Sequence, residues 1–138
     1  MTPTLDGMVV LITGAARGIG AAIAEQAAQA GAEALVLVDR DAIELDLPCA
    51  VERVTADLAL PDAPKEAIAA ATARFGRIDG LVNAAGLTTR GGYGDATVEM
   101  WNRMFSVNTR APFFLMDGAI ADMKARNAPG SIVNILSM

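Results

Sequence analysis

The sequence has no histidine, one cysteine, one tyrosine and only two lysines, Lys65 and Lys124. Without histidine, a Ser-His-Asp nucleophile cannot be assembled from these residues. With Cys49 as the sole cysteine, no disulfide can close within the chain and no His/Cys zinc centre can form, so no metal is expected. Cys49 follows Pro48 and reads as a small apolar filler. Basic residues are scattered, so the footprint of a nucleic-acid binder is missing. No apolar run approaches the roughly 20 residues that cross a bilayer, and no membrane association is expected. The opening residues lack the basic-then-apolar run of a secretory leader, which makes the cytoplasm the expected compartment.

What is present is a globular composition of 138 residues, 53% hydrophobic and 20% charged, with a formal charge of −5. That length suits one domain spanning 1–138. Buried-strand runs alternate with helical patterns along it. Met8–Ile12 and Ala34–Val38 are continuous aliphatic runs, as expected for parallel strands covered on both faces. Val51–Val54 suits a more exposed strand, Leu81–Asn83 a short one, and Ser131–Leu136 a fifth. Helical spacing covers Gly18–Ala30, Pro64–Phe75 and a long stretch from Val98 to about Arg126. That long helix would turn Trp101, Met104, Phe105, Asn108 and Leu115 to the core, with Pro112 bending it and a second apolar face at Met100, Val107 and Phe114. Asp95 and Thr97 are candidate caps at its start. The connection after Asp39 is short enough that any helix in it shrinks to about a turn. Alternation of this kind predicts an α/β fold: a Rossmann-like, doubly wound parallel sheet in three α/β/α layers, represented by its first five strands.

The most informative stretch is Thr13-Gly14-Ala15-Ala16-Arg17-Gly18-Ile19-Gly20, between the first strand and the first helix. Glycines there permit a tight turn and a close approach by phosphate, whose oxygens the helix-terminal N–H groups would face. No Lys-Ser/Thr pair follows, which excludes a nucleoside-triphosphate P-loop. Asp39 ends the second strand, where a carboxylate can accept both hydroxyls of an adenosine ribose. It would repel a ribose 2′-phosphate and so favours NAD. Arg17 and Arg40 could hold that phosphate, which keeps NADP admissible.

These residues resemble the short-chain dehydrogenase/reductase superfamily. Its cofactor signature Thr-Gly-x-x-x-Gly-x-Gly matches Thr13–Gly20, and its adenine-pocket Asp-Val/Leu pair matches Asp57-Leu58. Its Asn-Asn-Ala-Gly motif is similar to Asn83-Ala84-Ala85-Gly86, with Ala84 in place of the second asparagine. Val107-Asn108 matches the segment that supplies a catalytic asparagine, and Gly130–Ser137 follows the family's strand, apart from Leu136. The resemblance implies hydride transfer between a nicotinamide cofactor and a small-molecule alcohol or ketone. It places Gly14, Arg17, Gly18, Ile19 and Gly20 around the pyrophosphate, Asp39 with Arg40 at the ribose, and Asp57 with Leu58 at adenine. It places Asn83, Ala84 and Gly86 on the nicotinamide side, and it gives Ser137 and Asn108 catalytic roles. It further implies a homodimer or homotetramer.

One departure is plain. The family's Tyr-x-x-x-Lys has no counterpart, because Tyr93 is followed four places on by Thr97. A phenol with pKa near 10 needs a nearby cation to exchange protons at neutral pH. The expectation is therefore the front part of a complete dehydrogenase, inactive on its own. A non-catalytic dinucleotide-binding fragment is the alternative, and a methyl transferase with a nucleoside sulfonium cofactor is a more remote one.

Overall fold

A computed structural model describes residues 3–136. The elements run β1 (Val9–Thr13), α1 (Gly18–Gln29), β2 (Ala34–Asp39), β3 (Ala50–Thr55), α2 (Ala63–Phe75), β4 (Gly80–Asn83), α3 (Val98–Phe105), α4 (Ala111–Ala125) and β5 (Ser131–Asn134). The strands form one five-stranded sheet in the order β3-β2-β1-β4-β5, and every neighbouring pair is parallel. The chain leaves β1 toward one edge and returns past it to β4, so strand order reverses beside β1. In an open α/β sheet, that reversal creates a crevice at the carboxyl ends of the strands.

Two cores flank the sheet, because successive residues of a strand point to opposite faces. Val10, Ile12, Leu35 and Leu37 meet α1 through Ala24, Ala27 and Ala28. Leu11, Val36 and Leu81 meet α2 and α4 through Ala67, Ala71, Leu115 and Ala119. Every residue of β1 is buried, which explains its unbroken aliphatic run. The edge strands are wetter: β3 is partly exposed, and in β5 only Ile132 is partly covered. β5 is shorter than its hydrophobic run suggested, although the Ile135 amide still donates to the Asn83 carbonyl at 3.0 Å. Residues 40–49 carry no helix, so β2 connects to β3 by a plain loop.

The long helix is where expectation and structure part. α3 and α4 are separated by a π turn at Ser106–Arg110, closed by the Ala111 amide donating to the Ser106 carbonyl. Pro112 has no N–H to give the carbonyl of Asn108, and a widened turn accommodates that missing bond. Each inserted residue rotates the upstream helix by about 100° relative to a uniform α-helix. Trp101 and Phe105 consequently stack on each other at 4.7 Å on the outside, 64% and 50% exposed, while Leu115 is fully buried. Asn108 is likewise exposed rather than in the core. Val107 turns inward and is buried, so it cannot share an outer face with Phe114. Thr97 does cap α3, accepting the Met100 amide at 3.1 Å, while Asp95 instead accepts the Gly92 amide in the preceding turn.

The rotation has a measurable consequence. Leu115→Ala should cost about 3 kcal/mol, the usual penalty for hollowing a packed core. Trp101→Ala should cost less than about 1 kcal/mol, as expected at an exposed position. Urea denaturation of the two variants checks this, and equal large losses would restore the uniform-helix picture.

Candidate functional site

β1 ends in Thr13, and its buried side chain is the hinge of the site. The Thr13 hydroxyl oxygen accepts the amides of Ala84 and Ala85, each at 3.1 Å. The loop after β1 is thereby fastened to the loop after β4. Gly14 follows with φ +69°, and a β-carbon on it would lie 2.8 Å from the Ala85 nitrogen. Only glycine permits both that backbone twist and that approach. Gly20, in the first turns of α1, is buried against this loop, and a β-carbon there would overlap the Gly14 carbonyl. Its task is close helix-to-loop packing.

The loop leaves the start of α1 open. Arg17 occupies the N-cap position without a side-chain cap, and the first turn carries no acid. The N–H groups opening the helix therefore lack a compensating side-chain acceptor, a state that favours an anion. On the other flank, Asp39 Oδ2 accepts the Ala16 amide at 3.0 Å and Oδ1 accepts the Asp41 amide at 2.9 Å. The acid that closes β2 is thus in direct contact with the glycine loop.

These elements enclose a cleft of about 240 Å³ at the carboxyl edge of the sheet. Of the residues singled out from sequence, Gly14, Arg17, Asp39, Arg40, Asp57, Leu58, Ala84 and Gly86 line it. Gly18 and Ile19 begin α1 beside the cleft, with Ile19 exposed. Asn83 is buried behind it, its amide donating to Asn134 Oδ1 at 2.8 Å across β4 and β5. Asn108 grips the loop after β4 with both ends of its side chain: its Oδ1 accepts the Leu87 amide and its Nδ2 donates to the Leu87 carbonyl, each at 2.7 Å. The side-chain amide is spent on fixing that loop, and Pro112 has no N–H to donate to the Asn108 backbone carbonyl. Ser137 lies outside the described residues.

Three contributors were not read from the sequence. Thr13 looked like the start of a motif rather than a bridge. Asp41 lines the cleft between Arg17 and Arg40. Arg103, turned inward by the π turn, reaches across from α3 to Asp57, with Nη1 at 3.2 Å from Oδ2 and Nη2 at 3.4 Å from Oδ1. The Ala59 amide first, then Arg103, hold the Asp57 carboxyl below the ordinary carboxylate range, against the desolvation that would raise it. Asp57 is therefore an anion fixed at one end of the cleft.

The short chain dehydrogenase family model matches residues 8–138. A short chain dehydrogenase of Emericella variicolor, andC, is 43% identical over 136 residues, covering 96% of this chain and 54% of the relative. The 2,5-dichloro-2,5-cyclohexadiene-1,4-diol dehydrogenase LinX of Sphingobium indicum is 34% identical, covering 100% of this chain and 58% of its own. The crystal structure of a metagenomic short-chain oxidoreductase in complex with NADP superposes with a TM-score of 0.88 at 36% identity, over 97% of this chain and 63% of that one. L-sorbose reductase from Gluconobacter frateurii, complexed with NADPH and L-sorbose, gives 0.87 at 31% identity, over 97% and 54%. The chain belongs to the short-chain dehydrogenase/reductase family. It spans about half the length of the curated relatives it matches.

The Asp57 pairing implies an acid-dependent contribution to stability. Because the folded-state pKa is lowered, that contribution is present above the ordinary aspartate range near pH 4 and is lost as pH falls through the folded value. Arg103→Gln should lessen, without abolishing, the fall in urea midpoint between pH 5 and pH 3, since the Ala59 amide remains. An unchanged fall would deny Arg103 its part.

Proposed function

We propose that this chain is the dinucleotide-binding part of an NAD(P)-dependent oxidoreductase acting on a small alcohol or ketone. The observation that carries the reading is the contact of Asp39 with the glycine loop beside an uncapped helix start. In this reading the amides opening α1 hold the pyrophosphate, with Gly14 making the turn, Gly18 leaving room for the phosphate and Arg17 alongside. Asp39 and Arg40 face the adenosine ribose, and Asp57 with Leu58 bounds the adenine end. Asn83, Ala84 and Gly86 lie toward the nicotinamide end, Ala84 and Gly86 on a loop held by Thr13 and Asn108. Bound there, the nicotinamide would supply or accept the hydride that interconverts a hydroxyl and a carbonyl carbon.

The remaining roles belong to orientation and proton handling. Asn108 holds the loop at Leu87 through its amide and offers its backbone carbonyl as an acceptor. Ser137 is assigned the hydrogen bond to the substrate oxygen. The 138 residues contain no Tyr-x-x-x-Lys pair, so the roles assigned here are binding and positioning, and turnover needs a proton-transferring group beyond them. NAD is favoured by the carboxylate of Asp39, while the NADP and NADPH complexes of the structural neighbours support NADP as a second cofactor. The names of the relatives, a diol dehydrogenase and a sugar reductase among them, support a hydroxyl or carbonyl substrate. The exposed Trp101–Phe105 stack and the half-exposed Phe114 support a homo-oligomer formed through α3 and α4.

Calorimetric titration of the complete protein with NADH and NADPH tests the binding reading directly. Saturable one-to-one binding of at least one of them is expected, with turnover of secondary alcohols or ketones in the same preparation. Binding without turnover would favour a non-catalytic module, and binding of neither would refute the assignment. Ser137→Ala should lower kcat at least about a hundredfold, the usual loss when a polar group facing a reacting oxygen is removed.

A further inference from the structure

Four charged side chains share the rim of the cleft beside β2: Arg17, Asp39, Arg40 and Asp41. Their formal charges sum to zero. Asp39 is committed to backbone, since each of its oxygens accepts one amide, from Ala16 and from Asp41. Asp41 is different. Its carboxylate lies between the two guanidinium groups, 3.9 Å from Arg17 Nη2 through Oδ2 and 3.9 Å from Arg40 Nε through Oδ1. One of the two amides that Asp39 accepts is Asp41's own, so the acid that fixes the glycine loop also fixes the residue that sits between the arginines.

We infer that Asp41 is a second specificity-determining residue at the ribose end of the cleft, acting beside Asp39 by balancing Arg17 and Arg40 so that neither is free to hold a ribose 2′-phosphate. The inference rests on the proposal that this cleft takes a dinucleotide. The side chains of Arg17, Arg40 and Asp41 are 81%, 54% and 51% exposed, so these pairs do little for folding stability. Their influence is on the field met by a ligand. A 2′-phosphate brings nearly two negative charges to a rim of zero net charge, whereas a 2′-hydroxyl brings none. Losing the Asp41 charge turns the rim net positive and releases two forked donors suited to phosphate. Asp39, tied into the backbone on both oxygens, cannot be altered without loosening the loop itself. Asp41 can.

The test compares affinities of the complete protein for NADPH and NADH by calorimetry. Asp41→Asn should raise the NADPH-to-NADH affinity ratio about tenfold, the effect of one uncompensated charge a few ångströms from a phosphate near the surface. The gain should shrink as salt is raised, and Asp41→Glu should return the ratio toward that of the unaltered protein. Arg40→Gln, made separately, should move the ratio in the opposite direction. A ratio that moves less than twofold in both Asp41→Asn and Arg40→Gln, with dinucleotide binding intact, overturns the inference and leaves the proposed function standing. Absence of any dinucleotide binding by the unaltered protein overturns both.

Discussion

A single hydroxyl and a missing β-carbon hold the site together. Thr13 accepts two amides from the loop after β4, and Gly14 lies so close to Ala85 that no side chain fits between them. The ends of β1 and β4 are thereby joined where strand order reverses. Asp39 adds the end of β2 through the Ala16 amide. Three strand ends and one helix start converge because backbone meets backbone, and the polar groups that remain unmatched face the cleft. Buried amides must find partners; here Thr13 and Asp39 satisfy the inward ones, leaving the start of α1 for a ligand.

The opposite rim of the sheet is built for fastening. Asp122 Oδ2 accepts both the Ile78 amide and Arg126 Nε at 2.9 Å, and Asp79 Oδ2 accepts the Val9 amide at 2.8 Å. Carboxylates at that end are consumed by the fold. Those at the carboxyl end are divided: Asp39 serves the loop, Asp57 is braced by Arg103 and the Ala59 amide, and Asp41 sits among exposed arginines. The same residue type thus does three jobs within one cleft, according to what each carboxylate touches.

Much of this was legible in the sequence. β1 and β2 announced themselves as unbroken aliphatic runs because both faces of each are covered. The glycine loop and Asp39 were placed by the ends of β1 and β2, Asp57-Leu58 and Ala84–Gly86 by the resemblance to the family's motifs, and the structure sets Gly14, Arg17, Asp39, Asp57, Leu58, Ala84 and Gly86 around one cleft. The long helix was misread because periodicity assumes a constant turn, and the π turn ahead of Pro112 breaks that assumption. Trp101 and Phe105 therefore moved outward and Arg103 inward. Asn108 was placed in the core by the same arithmetic, and its partner Leu87 lies in a loop that carries no periodic signal. Asp39's grip on the Ala16 amide was equally hidden, since nothing in a linear sequence distinguishes an acid that waits for a ribose from one that also ties down a loop.

The central claim is that the joined strand ends form one anion-accepting dinucleotide cleft. Mapping amide chemical shifts on adding NADH to the isotopically labelled protein tests it most directly. The account predicts that the largest changes fall together on Gly14–Gly20, Asp39–Asp41, Asp57–Leu58 and Ala84–Gly86. Changes confined to the far rim around Ile78 and Arg126, or none at saturating cofactor, would contradict it.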